Sequence, residues 1–224
     1  MRGFFRPVVA VIWKDLLLEA RTKEVVTPTL VFAFLVTVVF NFVFEPSAAV
    51  VAIVAPGVLW IAFTFAGTLG LNRAFALEKE RGGIEGLMLC PVGREQIFLG
   101  KMTASFLFML AVEAVMLPVF AVLFNLPLLL PGLWVVTVLA TLGFSAVGTI
   151  FSAMAVNTRA REIMLPVLFF PIAVPVIIAA VETTRAVLAG DPWGDYRHWL
   201  GLTAAFDVVF VVVAAATFEF VLGE

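Results

Sequence analysis

A chain of 224 residues with 63% hydrophobic and 13% charged positions lies outside the range of soluble domains, where about 45–50% of residues are apolar and about 25% charged. It reads as an integral membrane protein. A formal net charge of −2 gives no electrostatic case for a nucleic-acid partner, and the single Cys90 and single His198 exclude an internal disulfide and a zinc-finger type of metal cluster.

The N-terminus carries Arg2 and Arg6 but only a short apolar run before Lys14 and Asp15, so no removable signal peptide is expected. Phe5, Val8, Ile12, Trp13, Leu16, Leu17 and Ala20 recur at helical spacing, with Lys14, Asp15, Glu19 and Arg21 largely off that stripe. The spacing predicts an interfacial helix over residues 1–24, lying on the inner leaflet; the alternative is an extension of the first span. Residues 25–44 are uncharged and long enough to cross the hydrocarbon core. Residues 46–72 follow as a second crossing that ends at Arg73. After a charged segment at 73–101, residues 102–124 form a third span, interrupted by Glu113.

Asn125, Pro127, Pro131 and Gly132 break the apolar run that follows, which places the fourth span at 133–156. Residues 163–181 and 200–222 supply the fifth and sixth. The runs are too long and continuous for barrel strands, so the expected fold class is all-α, a polytopic membrane protein with six transmembrane helices. Pro166, Pro171 and Pro175 each remove a backbone donor from the fifth span, and a kink or partial break is expected there.

With the N-terminus inside, the inner segments hold Arg2, Arg6, Lys14, Arg21 and Lys23, then Arg73, Lys79, Arg81, Arg94 and Lys101, then Arg159 and Arg161. The outer side keeps only Arg185 and Arg197, a strong positive-inside bias that puts both termini in the cytoplasm. Trp134, Trp193, Tyr196 and Trp199 then fall near the outer interface.

The charged segment has local organisation of its own. Gly82 and Gly83 permit a sharp exit from the second span. Ile84, Leu87 and Met88 form the apolar face of a short helix from which Glu85 points away, and Pro91 stops it. Gly93 caps a new helix with Glu95 and Gln96 in its first turn. A docking surface for a cytoplasmic protein fits this pattern, and a solvated loop of mixed charge is the plainer alternative. The tail Leu99-Gly100-Lys101-Met102 is no phosphate-binding loop, because Glu95 stands where the first glycine belongs and Met102 replaces the hydroxyl.

Glu113 and Asp207 are ionisable at membrane depth, where a charge costs a few kcal/mol or more. They are candidates for a proton relay or substrate contact, or for hydrogen-bonded packing. Thr137, Thr141, Ser145, Thr149 and Ala153, and likewise Ala62, Ala66 and Gly70, fall every fourth residue and suit close helix approach. His198 sits among aromatics between Asp191 and Trp199, either as a belt residue or as a contact for haem.

Glu80-Arg81-Gly82, Leu87, Pro91 and Gly100-Lys101 resemble the coupling loop of ABC-2-type permeases. The stretches Ala55–Phe75 and Leu165–Glu182, with the N-terminal WKDLLLEARTKE, are similar to the haem exporter B family of the cytochrome c maturation system. The resemblance implies a permease subunit without enzymatic activity of its own. ATP would be hydrolysed on a cytoplasmic ABC ATPase subunit, and haem would be the possible cargo. The other implied partners are a second permease or haem-handling subunit, or a second copy of the chain, and a periplasmic haem chaperone. By position, Glu80, Gly82, Leu87 and Pro91 would belong to the coupling region that meets the ATPase, and Arg81, Ile84, Glu85 and Met88 of the same segment complete the expected docking set. Two rival functions stay open: the residues allow a proton-coupled secondary transporter using Glu113 and Asp207, and the resemblance also allows a non-transporting scaffold that couples ATP hydrolysis to release of a haem chaperone.

Overall fold

A computed structural model describes residues 2–44, 48–127, 130–156 and 161–222. Eight helices and no strand are present among them: α1 (Arg2–Thr22), α2 (Val26–Val43), α3 (Ala48–Glu80), α4 (Gly83–Met88), α5 (Arg94–Phe124), α6 (Pro131–Val156), α7 (Arg161–Ala189) and α8 (Trp193–Leu222). Six of these, α2, α3 and α5 to α8, are long and apolar enough to cross a membrane. The fold is therefore all-α and the chain is a multi-pass membrane protein. The expected start of the second span at Pro46 lies outside the described residues, as do Arg159 and the side chain of Arg161.

Helix α6 is the hub of the bundle, packing against α3, α5, α7 and α8. Its every-fourth-residue row is buried along its whole length, from Thr137 at 1% exposure to Ser145 and Thr149 at 0%. Small side chains on this row let the neighbouring helices approach closely. At Gly143 a β-carbon would lie 2.5 Å from Asp207 Oδ1, and at Gly148 it would lie 2.3 Å from Leu71. The main core collects Trp60, Phe144, Phe169 and Val176 around this axis. A second, smaller core of Phe75, Ile97, Phe98, Met102 and Phe218 lies at the end of the bundle that carries α4.

The helices are longer than the apolar runs suggest. Helix α3 has 33 residues, roughly 50 Å of rise against an apolar layer of about 30 Å. It continues past Arg73 to Glu80, and α5 already begins at Arg94, so the segment between them shortens to residues 81–93. Charged residues at 73–80 do not stop a helix once it has left the apolar layer. Helix α7 likewise runs unbroken through Pro166, Pro171 and Pro175; neighbouring helices and side chains compensate for lost backbone bonds in such spans.

Helix α7 continues to Ala189, and the connection to α8 is only residues 190–192. Gly190, at φ 78°, ends α7 with its N–H on Val187 O, while Asp191 N–H reaches Ala186 O. This is the left-handed cap that glycine adopts without strain. Asn125 ends α5 in the same way, at φ 51°. Trp193 is exposed near this end, whereas Tyr196 is buried against the main core.

Candidate functional site

The segment between α3 and α5 folds as the glycines and proline dictate. Gly82 takes φ 67°, a conformation that costs a β-carbon-bearing residue, and its N–H caps Lys79 O. The chain then reverses into α4, a helix of six residues. Arg94 returns from the start of α5 to donate to Met88 O at 3.3 Å, satisfying a terminal carbonyl of α4. Glu80 closes α3, and Arg81 pairs with Glu24 at 2.8 Å. The side chain of Glu85 lies outside the described residues.

The apolar face of α4 is used by the protein itself. Ile84 and Leu87 pack on the second core, so this face fixes α4 to the bundle. The outward surface is made by Gly86, Leu89, Cys90 and Pro91, all exposed, with Leu89 at 87%. A seated helix with a bare outer edge is what a docking element requires.

Helix α1 divides its apolar residues between two surfaces. Val8 and Val11 are buried against α5. Gly100 makes that approach possible, because a β-carbon there would lie 2.7 Å from Val11 Cβ and 3.2 Å from Val8 O. Phe5, Val9 and Trp13 are about 60% exposed and point away from the bundle. Asp15 and Glu19 turn inward, whereas Arg6 and Arg21 are exposed and Lys14 is half-exposed. Lys14 pairs with Asp15 at 3.1 Å and with Glu78 of α3; Lys101 of α5 pairs with Asp15 at 2.9 Å and with the same Glu78. Lys101 also lies 5.8 Å from the centre of the Phe75 ring. Glu19 accepts from Val25 N–H at 3.1 Å and Val26 N–H at 2.7 Å, capping α2 with a carboxylate at its positive end.

This cluster was not readable from spacing, since its ion pairs join residues 64 and 86 positions apart. The available signal was the balance of two acids and two bases at the apolar ends of three predicted helices. Burying two opposite-sign pairs together offsets part of the desolvation that each charge alone would cost.

The intramembrane acids are treated differently. Glu113, at 2% exposure, receives the hydroxyl of Thr141 within 2.8 Å of one oxygen and 2.7 Å of the other, a link from α5 to α6. Asp207, at 4% exposure, lies over Gly143, and its Oδ1 has no hydrogen-bond partner among the described residues. The two acids therefore meet α6 from two different neighbours, α5 and α8. His198 is exposed in the first turns of α8 with its ring 4.9 Å from that of Trp199. Among the described residues no group of three His, Cys, Asp or Glu could hold a metal ion.

Known proteins place this architecture. A family model described as CcmB protein matches residues 6–222. The chain is 29% identical to a protein named heme exporter protein B of Pseudomonas aeruginosa, over 93% of this chain and 94% of that one. It is 31% identical to the protein of the same name from Paracoccus denitrificans, over 92% and 96%, and 31% identical to that of Rhodobacter capsulatus, over 79% and 81%. The match runs from residue 6, in the first turns of α1, to the end of α8 and takes in all six membrane-crossing helices, and the chain belongs to the CcmB protein family.

Proposed function

We propose that this chain is the permease subunit of an ATP-driven complex that delivers haem for c-type cytochrome assembly, with both termini and α4 on the cytoplasmic side of a bacterial inner membrane. The observation that carries this reading is α4 itself, seated on the second core through Ile84 and Leu87 while Leu89, Cys90 and Pro91 stay exposed. A cytoplasmic ABC ATPase subunit grips that exposed edge, and nucleotide binding pulls on it. Such a pull changes the bundle only if its two states dock the ATPase with different affinity, which is the physical content of coupling. ATP is then consumed on the ATPase and not on this chain. Haem is cargo, met with help from a second haem-handling membrane subunit or a second copy of this chain, and passed to a periplasmic haem chaperone. His198, exposed near Trp199, is the residue of this chain available to touch haem on the outer side. The names carried by the relatives support the haem assignment.

Leu89→Asp tests the docking edge without touching the core. It should lower stimulated ATPase activity of the reconstituted complex and the yield of holo-cytochrome c, with the protein still inserted. Unchanged turnover and yield would argue against docking at α4. The proton-coupled alternative draws on one observation, the partnerless Asp207 Oδ1; it requires nucleotide-independent uptake into vesicles that Asp207→Asn abolishes.

A further inference from the structure

We infer that Glu78 is a positioning residue that ties α4 to the interfacial helix α1, so that movement of α4 displaces α1 along the membrane surface. The inference rests on the docking reading above and adds a second moving element to it. Glu78 stands two residues before the end of α3. Its side chain lies over Gly83, the first residue of α4, where a β-carbon would meet Glu78 Cγ at 2.8 Å and Oε1 at 3.0 Å. The same carboxylate pairs with Lys14 of α1 and Lys101 of α5, and Asp15 closes the ring by pairing with both lysines, at 3.1 and 2.9 Å. Any shift of α4 against the bundle pushes on Glu78 through Gly83, and Glu78 moves only by carrying Lys14 with it or by breaking a buried ion pair. Breaking that pair takes one of two lysines from a carboxylate whose side chain is 9% exposed, so the linked movement is favoured. Helix α1 presents Phe5, Val9 and Trp13 outward, an apolar stripe that stays at a membrane surface as α1 shifts, so the shift is opposed chiefly by the packing of Val8 and Val11 on α5.

The experiment uses the complete complex reconstituted with its ATPase, in a Cys90→Ser background. Spin labels are placed at Val9→Cys on α1 or at Leu89→Cys beside α4, each measured against a reference label at the exposed Val213→Cys on α8. In the otherwise unchanged chain both distances should respond to nucleotide. With Glu78→Gln, which removes both routes from the turn to α1, directly through Lys14 and through Lys101 to Asp15, the α1 response should be lost while the α4 response remains. Lys14→Met should weaken the α1 response only in part, because Lys101 still joins Glu78 to Asp15, and Glu78→Asp should keep part of it. An α1 label that follows nucleotide undiminished in Glu78→Gln overturns the inference, as does an α1 label that never responds in the unchanged chain while α4 does. An α4 label blind to nucleotide in the unchanged chain instead sinks the docking reading itself.

Discussion

The cluster around Glu78 and the pair of acids flanking α6 handle the same physical problem in opposite ways. At the end of the bundle that carries α4, two acids and two bases from three helices neutralise one another. In the middle of the bundle Glu113 has one hydroxyl, and Asp207 Oδ1 has none. The comparison teaches that the first region is held together by its charges, whereas in the second the helices are held by small-residue packing and the acids are tolerated within it. Removing a charge should therefore be costly in the first region and cheap in the second.

The largest effect is expected from Lys101→Ala, which leaves Asp15 and Glu78 sharing Lys14. Loss of one partner from a buried ionic group costs about 3–5 kcal/mol, read as thermal unfolding of the purified chain in detergent. Adding Glu78→Gln restores charge balance and should recover part of that loss, a coupling of about 0.5–3 kcal/mol. Next comes Gly100→Val, whose side chain would collide with Val11 and the Val8 carbonyl; overpacking of this kind costs about 1–3 kcal/mol. It should also free α1, seen as faster proteolysis between α1 and α2. In the second region Thr141→Val strips Glu113 of its donor and should cost about 1–3 kcal/mol, while Glu113→Gln, which can still accept from Thr141, costs less. The smallest change is expected from Asp207→Asn, within about 1 kcal/mol, because Oδ1 has no bond to lose. A large destabilisation by Asp207→Asn together with a silent Lys101→Ala would invert the comparison.

Much of the architecture was legible because the bilayer imposes strict rules on composition. Six apolar runs and their breakers marked six membrane-crossing helices, and the glycines and proline around α4 marked a short helix between two turns. The helix ends were less legible. Apolar length reports where the lipid stops, and α3 continues for two further turns of charged sequence. The three prolines of α7 pointed to a kink or partial break, and the helix is continuous through all three. The amphipathic pattern of α1 was plain, but periodicity alone does not say which face meets protein. Here Lys14 and Asp15 find counter-ions on α3 and α5, Val8 and Val11 pack on α5, and Phe5, Val9 and Trp13 are left exposed. For the same reason Leu87 was legible as a component of α4, while its inward direction and the exposure of Leu89 depended on the second core.

If α4 is the docking element, its exposed edge faces the compartment of the ATPase. Cys90 is the chain's one cysteine and stands exposed on that edge, so the native protein reports on it directly. A membrane-impermeant thiol reagent should label Cys90 in inside-out vesicles, less so when the ATPase is bound, and should leave it unlabelled in intact cells. Labelling of Cys90 from outside intact cells would contradict the account.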